Sequence, residues 1–215
     1  MPIMIIKKNT KPKYWNSAID HLHSVDPVLS KVISKYKAQS YLKVANSPFR
    51  TLFSIIVGQQ ISIEAAKSIE ERIKMNIKQI TPSNFLKHDT KKLRNYGLSY
   101  RKIKYIKGIA EIIKSKSNFF RNIAKLDDND AIKQLTDLYG IGPWSAEMFL
   151  IFQYNRENIL PVSDIGLINS FCNNYKIQRK SFLIEILKYK KIWSPYCTVA
   201  TWYLWRDIDE DVVQY

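Results

Sequence analysis

The stretch LYGIGPWSA, residues 138–146, separates two segments that both have a helical pattern of apolar residues. Gly140 and Gly142 can adopt the positive φ that a tight turn requires. Pro143 suits the first turn of a helix, where its missing N–H costs nothing. The stretch therefore predicts a helix, a hairpin turn and a second helix whose N-terminal amides point outward.

Two interpretations of this hairpin remain open from the turn alone. Helix N-terminal amides and the helix dipole can bind a phosphate without reading a DNA sequence, and the turn carbonyls on the other side can hold a monovalent cation. An ordinary helical hairpin with a glycine C-cap uses the same residue types, because Gly-x-Gly by itself is a weak motif.

The composition is that of a basic protein that can build a core. The chain has 215 residues, of which 46% are hydrophobic, and this length fits one large domain or two small intertwined ones. Its 34 Lys+Arg against 19 Asp+Glu give a net charge of +15. A charge of this size favours a polyanionic partner such as nucleic acid, although a coding bias toward Lys, Ile and Asn would also produce it.

The cysteines and the N-terminus exclude several protein classes. Cys172 and Cys197 are the only two cysteines, too few for a disulfide framework or a metal cluster, and we expect buried, inert thiols. The start MPIMIIKKNT is not a signal peptide, and no apolar stretch reaches membrane length. We therefore expect a cytoplasmic, nucleoid-associated protein with no membrane partner.

Apolar residues recur at helical spacing along most of the chain, and alternating strand patterns are nearly absent. We predict an all-α fold with about ten helices. Asp26-Pro27, Ser47-Pro48 and Ser62 are typical helix starts. The predicted helices are 14–23, 27–36, 49–57, 62–74, 100–114, 127–138, 144–154, 164–175, 180–189 and 195–206, and residues 83–86 and 90–96 are predicted to form short helical turns.

Asp164 lies in the loop LPVSDIGL, residues 160–167, after the second hairpin helix. The loop is long enough to return the chain and place this carboxylate near Trp144, at the start of that helix. A carboxylate beside a turn that faces DNA is a candidate catalytic group. An N-cap of the following helix is the alternative, and capping and catalysis are compatible.

Three segments resemble the helix-hairpin-helix and Gly/Pro-Asp signature of the DNA glycosylase superfamily. Residues 138–167, LYGIGPWSAEMFLIFQYNRENILPVSDIGL, carry the signature and are most similar to its 3-methyladenine DNA glycosylase II branch, in a compact form. Residues 53–62, FSIIVGQQIS, are similar to the first helix and DNA-probing turn, and residues 193–205, WSPYCTVATWYLW, to the C-terminal helix.

The resemblance implies two helical subdomains with an active-site cleft between them. Residues 1–46 would supply N-terminal helices that pack with the C-terminal helices. Residues 47–163 would form the central helical subdomain, which ends in the helix-hairpin-helix. Residues 164–215 would complete the other subdomain.

The resemblance also implies a reaction. Asp164 would stabilise an oxocarbenium-like sugar and position a water molecule, so that the N-glycosidic bond of an alkylated purine is hydrolysed. Relatives that also cut the DNA backbone have a nucleophilic lysine where this chain has Trp144. Because tryptophan cannot form a Schiff base, the resemblance implies a glycosylase without lyase activity.

Further site residues follow from the same resemblance. Trp144, Trp205 and Met148 would line the base pocket, where aromatic faces attract cationic rings. Gln60 would fill the gap left by the flipped base, and Gln59 would contact the opposite strand or cap the next helix. For Trp202 and Tyr203, on the same predicted helix as Trp205, we expect core packing. They stay outside the predicted pocket.

The backbone of the hairpin is assigned two roles by the resemblance. The amides of Gly140, Gly142 and Trp144 would bind a DNA phosphate, and the carbonyls of Thr136, Leu138 and Gly140 would hold a sodium or potassium ion. We expect no required cofactor, and a monomer that acts on double-stranded DNA containing alkylated bases. Separately, Lys102, Lys104 and Lys107 are either phosphate contacts or a solvated helix face.

Two departures from the family pattern put the substrate range in question. Cys197 stands where relatives usually have arginine, and Met148 stands where the pocket often has an aromatic residue. Relatives of the endonuclease III or adenine-mismatch type use four cysteines for an iron–sulfur cluster, which two cysteines cannot supply. A non-catalytic helix-hairpin-helix DNA-binding protein, with no need for Asp164, remains the alternative from another class.

Overall fold

In a computed structural model the described residues are 11–36, 41–43 and 47–209. They form α-helices, one short 3₁₀ turn and no β-strand, so the all-α prediction is confirmed. The helices are α1 (Trp15–Val25), α2 (Pro27–Ser34), α3 (Pro48–Gly58), α4 (Ile63–Asn76), α5 (Pro82–Leu86), α6 (Thr90–Asn95), α7 (Tyr100–Ser115), α8 (Phe119–Ile123), α9 (Asp128–Thr136), α10 (Pro143–Tyr154), α11 (Ile165–Tyr175), α12 (Phe182–Trp193) and α13 (Cys197–Arg206).

Side-chain caps explain why most helix starts were predictable. The Ser47 side chain accepts a hydrogen bond from the amide of Arg50 at the start of α3, and Ser62 accepts one from Ala65 at the start of α4. Each bond satisfies an amide that has no partner inside its helix. The predicted starts at these two serines are confirmed.

Two parts of the helix prediction are wrong. No local pattern indicated α8, which has five residues and no side-chain cap at Asn118. Helix α12 extends to Trp193 instead of ending at Tyr189, because its apolar and basic residues continue the helix as far as the Ser194-Pro195 step. Short uncapped helices and helix ends carry the weakest local signals.

The described chain divides into two compact units, and the first contains residues 11–36, 41–43 and 150–209. Within it, α1 and α2 pack against α13, and α11 and α12 pack against each other. Its aromatic core includes Trp15, which contacts Trp202 edge-on with ring centroids 5.2 Å apart. Trp202 and Tyr203 are buried, as the core-packing interpretation predicts.

The second unit contains residues 47–149. Its central element is α3, whose residues Phe49 and Thr51–Val57 are all buried. A helix that is buried on all sides needs neighbours around it. Helices α4 and α7 pack against α3, and α5 and α6 pack against α7. The predicted segments 1–46, 47–163 and 164–215 stay a prediction, and residues 1–10, 37–40, 44–46 and 210–215 lie outside the described residues.

The helices are not of the kind that crosses a membrane. Among residues 11–36, 41–43 and 47–209, no helix combines the length and the apolar character that a bilayer span requires.

A buried carboxylate joins three elements of the first unit. Asp26, only 1% exposed, accepts hydrogen bonds from the amides of Val28 and Leu29 at the start of α2. Its second oxygen accepts one from the Tyr175 hydroxyl and one, at 2.7 Å, from the indole N–H of Trp193. Burial, together with Asp26, raises the pKa of Tyr175 far above its usual range. One side chain thus joins the ends of α11 and α12 to α2.

We expect Asp26→Ala to lower the free energy of unfolding by about 3 kcal/mol or more, because four donors lose their acceptor inside the protein. Urea denaturation measures the effect. Asp89→Ala is the matched control, since it removes the exposed N-cap of α6 and should cost far less. Equal losses in the two variants would contradict the joining role of Asp26.

Candidate active site

The loop after α10 brings the chain to Asp164, which caps α11. Asp164 has extended backbone angles, and its Oδ1 accepts a 2.7 Å hydrogen bond from the amide of Leu167. The loop is closed by a bond from the Asp164 amide to the carbonyl of Pro161. The capping interpretation of Asp164 is therefore confirmed, and the cap fixes where its carboxylate lies.

A second donor reaches the same oxygen from the C-terminal helix. The indole N–H of Trp205 donates to Asp164 Oδ1 at 2.8 Å. Trp205 in turn stacks on Phe152 of α10, with ring centroids 5.9 Å apart and planes inclined by 9°. Two N–H groups from different helices thus set the orientation of the carboxylate, and a stacked ring sets the orientation of the indole.

Gly166 allows the first turn of α11 to approach Trp205 closely. A Cβ atom at this position would lie 3.1 Å from Asp164 Oδ1 and 3.3 Å from Trp205 Cδ1. Asp164 and Trp205 are each half-buried, and the neighbouring Ile165 is 56% exposed. The carboxylate therefore lies among aromatic and aliphatic groups while remaining partly accessible.

The hairpin in the second unit depends on the conformation of Gly140. Its φ is +95°, and a Cβ atom there would lie 2.2 Å from the ring of Tyr105. Both the backbone angle and the close approach of the ring therefore exclude a side chain. Gly142 needs neither kind of freedom, because its φ is not positive and nothing lies within 4 Å of an added Cβ. Pro143 begins α10, as predicted.

Gln59 connects the turn after α3 to this hairpin. Its side-chain amide donates to the Gly140 carbonyl and to the Ser145 hydroxyl, each at 3.0 Å. The expectation that Gln59 contacts DNA stays a prediction, while the structure gives it a role within the protein. The next residue, Gln60, is exposed and has a left-handed backbone with φ +59°.

The other predicted hairpin residues occupy distinct environments. Trp144 is half-buried, and Met148, one helical turn later on α10, is 2% exposed. The Leu138 carbonyl accepts a bond from the Ile141 amide, as Gly140 does from Gln59. A carbonyl oxygen has two lone pairs. The monovalent-cation site at the carbonyls of Thr136, Leu138 and Gly140 stays a prediction.

Comparison with known proteins identifies the family. Residues 53–195 match the HhH-GPD superfamily of base excision DNA repair proteins. The chain belongs to this superfamily. The match covers both the turn that contains Gln59 and the loop that contains Asp164, so the hairpin and the capped carboxylate described above are both parts of the family's region.

Individual HhH-GPD relatives are similar over most of their length. DNA-3-methyladenine glycosylase 1 of Schizosaccharomyces pombe is 31% identical over 83% of this chain and 79% of its own. The solved structure of S. pombe 3-methyladenine DNA glycosylase with abasic DNA has a TM-score of 0.75 at 29% identity, covering 88% of this chain and 95% of its own. DNA-3-methyladenine glycosidase from Bacillus halodurans has a TM-score of 0.73 at 32% identity, covering 93% of this chain and 90% of its own.

The sequence indicated neither Tyr105 nor Ser145 as part of this HhH-GPD site, and it named Lys102 without predicting the contact that Lys102 makes within the protein. Tyr105 packs on Gly140, Ser145 accepts from Gln59, and Lys102 donates to the carbonyl of Val57 at 2.7 Å. Each partner is distant in the chain, so local patterns carry no signal for it. Cys197 is buried as expected, and burial raises the pKa of its thiol, whereas Cys172 is only half-buried.

Substituting each hairpin glycine in turn tests whether Gly140 is required for its backbone angle or only as part of the Gly-x-Gly motif. We expect Gly140→Ala to lower the free energy of unfolding by about 2 kcal/mol or more, because alanine rarely adopts its φ and would overlap Tyr105. Gly142→Ala should change it by less than about 0.5 kcal/mol. Urea denaturation of both variants checks this, and similar losses would show that Gly140 has no special role.

Proposed function

We propose that this chain is a monofunctional DNA glycosylase of base excision repair that hydrolyses the N-glycosidic bond of alkylated purines, with 3-methyladenine and 7-methylguanine as its substrates. The observation that carries the proposal is the Asp164 carboxylate, oriented by the N–H groups of Trp205 and Leu167. Relatives that align with most of this chain and are named DNA-3-methyladenine glycosylases support the choice of substrate.

The chemistry of an alkylated purine suits a single carboxylate. Such a base carries a positive charge, so its bond to the sugar is already weak. When the bond from C1′ to nitrogen breaks, the electron pair passes to the purine and the positive charge moves to the sugar. The Asp164 carboxylate stabilises this developing charge. Water then adds to C1′ and loses a proton, for which Asp164 is the acceptor.

Cleavage of the DNA backbone needs a different group. A lyase forms a Schiff base between C1′ and an amine, and this chain has Trp144 where lyases of the family have lysine. The half-buried indole has no nucleophilic amine. The product is therefore an intact strand with an abasic site, and strand breaks arise only after treatment with alkali.

Binding of the substrate uses the hairpin and the turn after α3. The amides of Gly140, Gly142 and Trp144 bind a backbone phosphate. The target base leaves the stack and Gln60 enters the gap, while Trp144, Met148 and Trp205 form the base pocket. A monovalent cation at the Thr136, Leu138 and Gly140 carbonyls would add positive charge to this phosphate site.

We also propose that the protein acts as a monomer on double-stranded DNA and is nucleoid-associated in the cytoplasm. The net charge of +15 supports a nucleic-acid partner, because positive charge attracts the phosphate backbone and speeds association.

Asp164→Asn tests the catalytic role. We expect it to bind methylated duplex DNA as the unchanged protein does but to release bases more slowly by about a hundredfold to a thousandfold. Asparagine still offers an oxygen to Leu167 and Trp205, so the helix cap is kept while the charge is removed. The measurement is single-turnover release of free bases, with alkali-labile sites as a second readout.

Two outcomes of this experiment would overturn the proposal in different ways. Base release by both proteins at the same rate would remove Asp164 from the mechanism. Tight DNA binding with no base release by the unchanged protein would identify a non-catalytic DNA-binding protein of the same fold.

Trp205→Phe tests whether the indole N–H positions the carboxylate. Phenylalanine can still stack on Phe152, so we expect unchanged DNA binding with a rate of base release about tenfold lower, because the carboxylate loses the indole donor. Trp202→Phe, on the same helix but in the core, is the control and should lower stability without lowering the rate of the folded protein. A Trp205→Phe protein with full activity would contradict this role.

A further inference from the structure

The C-terminal end of α3 is held by groups from outside the helix. The last carbonyls of a helix have no partner within it. Here the Ile56 carbonyl accepts from the Gln59 amide at 3.3 Å, and the Gly58 carbonyl accepts from the Ile61 amide at 3.5 Å. Between them, the Val57 carbonyl accepts a 2.7 Å bond from the Lys102 ammonium of α7. Lys102 thus makes the shortest of these bonds at the end of α3.

The environment of Lys102 differs from that of Lys104, which follows two residues later on α7. It is half-buried, its own amide donates to the Ser99 side chain that caps α7, and burial lowers the pKa of its ammonium. Lys104 is exposed, and its ammonium lies 5.1 Å from the ring centroid of Tyr139. A positive charge at a helix C-terminus also interacts favourably with the helix dipole.

The bond to Val57 lies next to the turn that presents Gln60. The turn between α3 and α4 is short and starts directly after Gly58. The hairpin contacts this turn through Gln59, and α7 contacts the last turn of α3, just before it, through Lys102. Gln60 itself is exposed and left-handed. Its position therefore depends on contacts made by its neighbours.

An open pocket of about 560 Å³ lies between this turn and the start of α7. None of the residues that line it is acidic, and Arg94, Arg101 and Lys102 are basic. Arg94 lies over the ring of Tyr100, 4.5 Å from its centroid. A basic, open space beside Gln60 is suited to a strand of DNA, while Lys102 directs its ammonium to a protein carbonyl.

We propose that Lys102 is a positioning residue, which holds the end of α3 so that Gln60 is presented to the DNA duplex, and that it is not itself a phosphate contact. This role differs from both alternatives that the sequence left open for Lys102, because its ammonium donates to a carbonyl of the protein at 2.7 Å. The inference rests on the proposed function, in which Gln60 enters the gap left by the flipped base.

The dependence of DNA affinity on salt separates a positioning residue from a phosphate contact. Affinity for DNA falls as salt rises, and removal of one side chain that binds a phosphate reduces the steepness of this fall, the salt slope, by about one unit in log affinity per log unit of salt. We expect Lys102→Met to leave this slope unchanged, as does Lys114→Met, its matched control in the last turn of α7. A salt slope reduced by about one unit in Lys102→Met alone would overturn the proposal.

Insertion of Gln60 into the duplex can be measured in the absence of base release. The probe is a duplex with a tetrahydrofuran abasic analogue opposite 2-aminopurine, whose fluorescence reports how that base is stacked. We expect Lys102→Met to lower the ratio of inserted to uninserted complex about tenfold at saturating protein, because small misplacements are costly. Lys102→Arg should restore it, since arginine can also donate to the Val57 carbonyl, and Gln60→Ala should reproduce the defect.

The outcomes distinguish this inference from the proposed function. A full fluorescence change in folded Lys102→Met overturns the positioning role, whatever the enzyme releases. Melting temperatures identify a variant that fails to fold. If Lys102→Met fails to fold, Lys102→Gln replaces it, because glutamine removes the charge and keeps an N–H donor. For Lys102→Gln, an unchanged salt slope supports the positioning role, and a salt slope reduced by about one unit overturns it. Absence of base release by the unchanged protein would instead contradict the proposed function alone.

Discussion

The chemistry proposed for this protein depends on two hydrogen bonds to one oxygen atom. Asp164 Oδ1 accepts from the amide of Leu167 in the first turn of α11 and from the indole of Trp205 on α13. The amide bond is the ordinary result of capping a helix, and it fixes the backbone position of the carboxylate. The indole bond fixes its rotation, and the stack on Phe152 keeps the indole in place. A preorganised charge needs no rearrangement when the sugar becomes positive, so a structural cap can also be a catalytic group.

A similar sharing of roles occurs in the second unit, where the hairpin and the turn that presents Gln60 support each other. The ring of Tyr105 packs against the backbone of Gly140, and the side-chain amide of Gln59 donates to the Gly140 carbonyl. The close approach of the ring needs a residue without a side chain, which explains the first glycine of the motif better than turn geometry alone. The hairpin therefore depends on α7 and on the turn after α3 as well as on its own residues.

Local physics explains which features were predictable from the sequence. Helix periodicity, the serine and aspartate caps and the Gly-Pro hairpin indicated the all-α fold and Asp164 as a helix cap. The family, and Asp164 as a candidate catalyst, followed from the resemblance of residues 138–167 to the glycosylase signature. Local patterns did not predict contacts between residues far apart in the chain: Trp205 lies 41 residues from Asp164, Lys102 45 residues from Val57, and Gln59 81 residues from Gly140. Tertiary packing decides such contacts, and a helix as short as α8 depends on packing for its existence.

Whether Asp164 stabilises positive charge on the sugar can be decided by comparing two abasic-site analogues in otherwise identical duplexes. A pyrrolidine analogue carries a positive charge in the sugar ring, and a tetrahydrofuran analogue of the same shape is neutral. Because an active site binds the charge distribution of its transition state most tightly, we expect this protein to bind the pyrrolidine duplex at least about tenfold more tightly, and we expect Asp164→Asn to abolish the preference. Equal affinity of the unchanged protein for the two duplexes would contradict this role of Asp164.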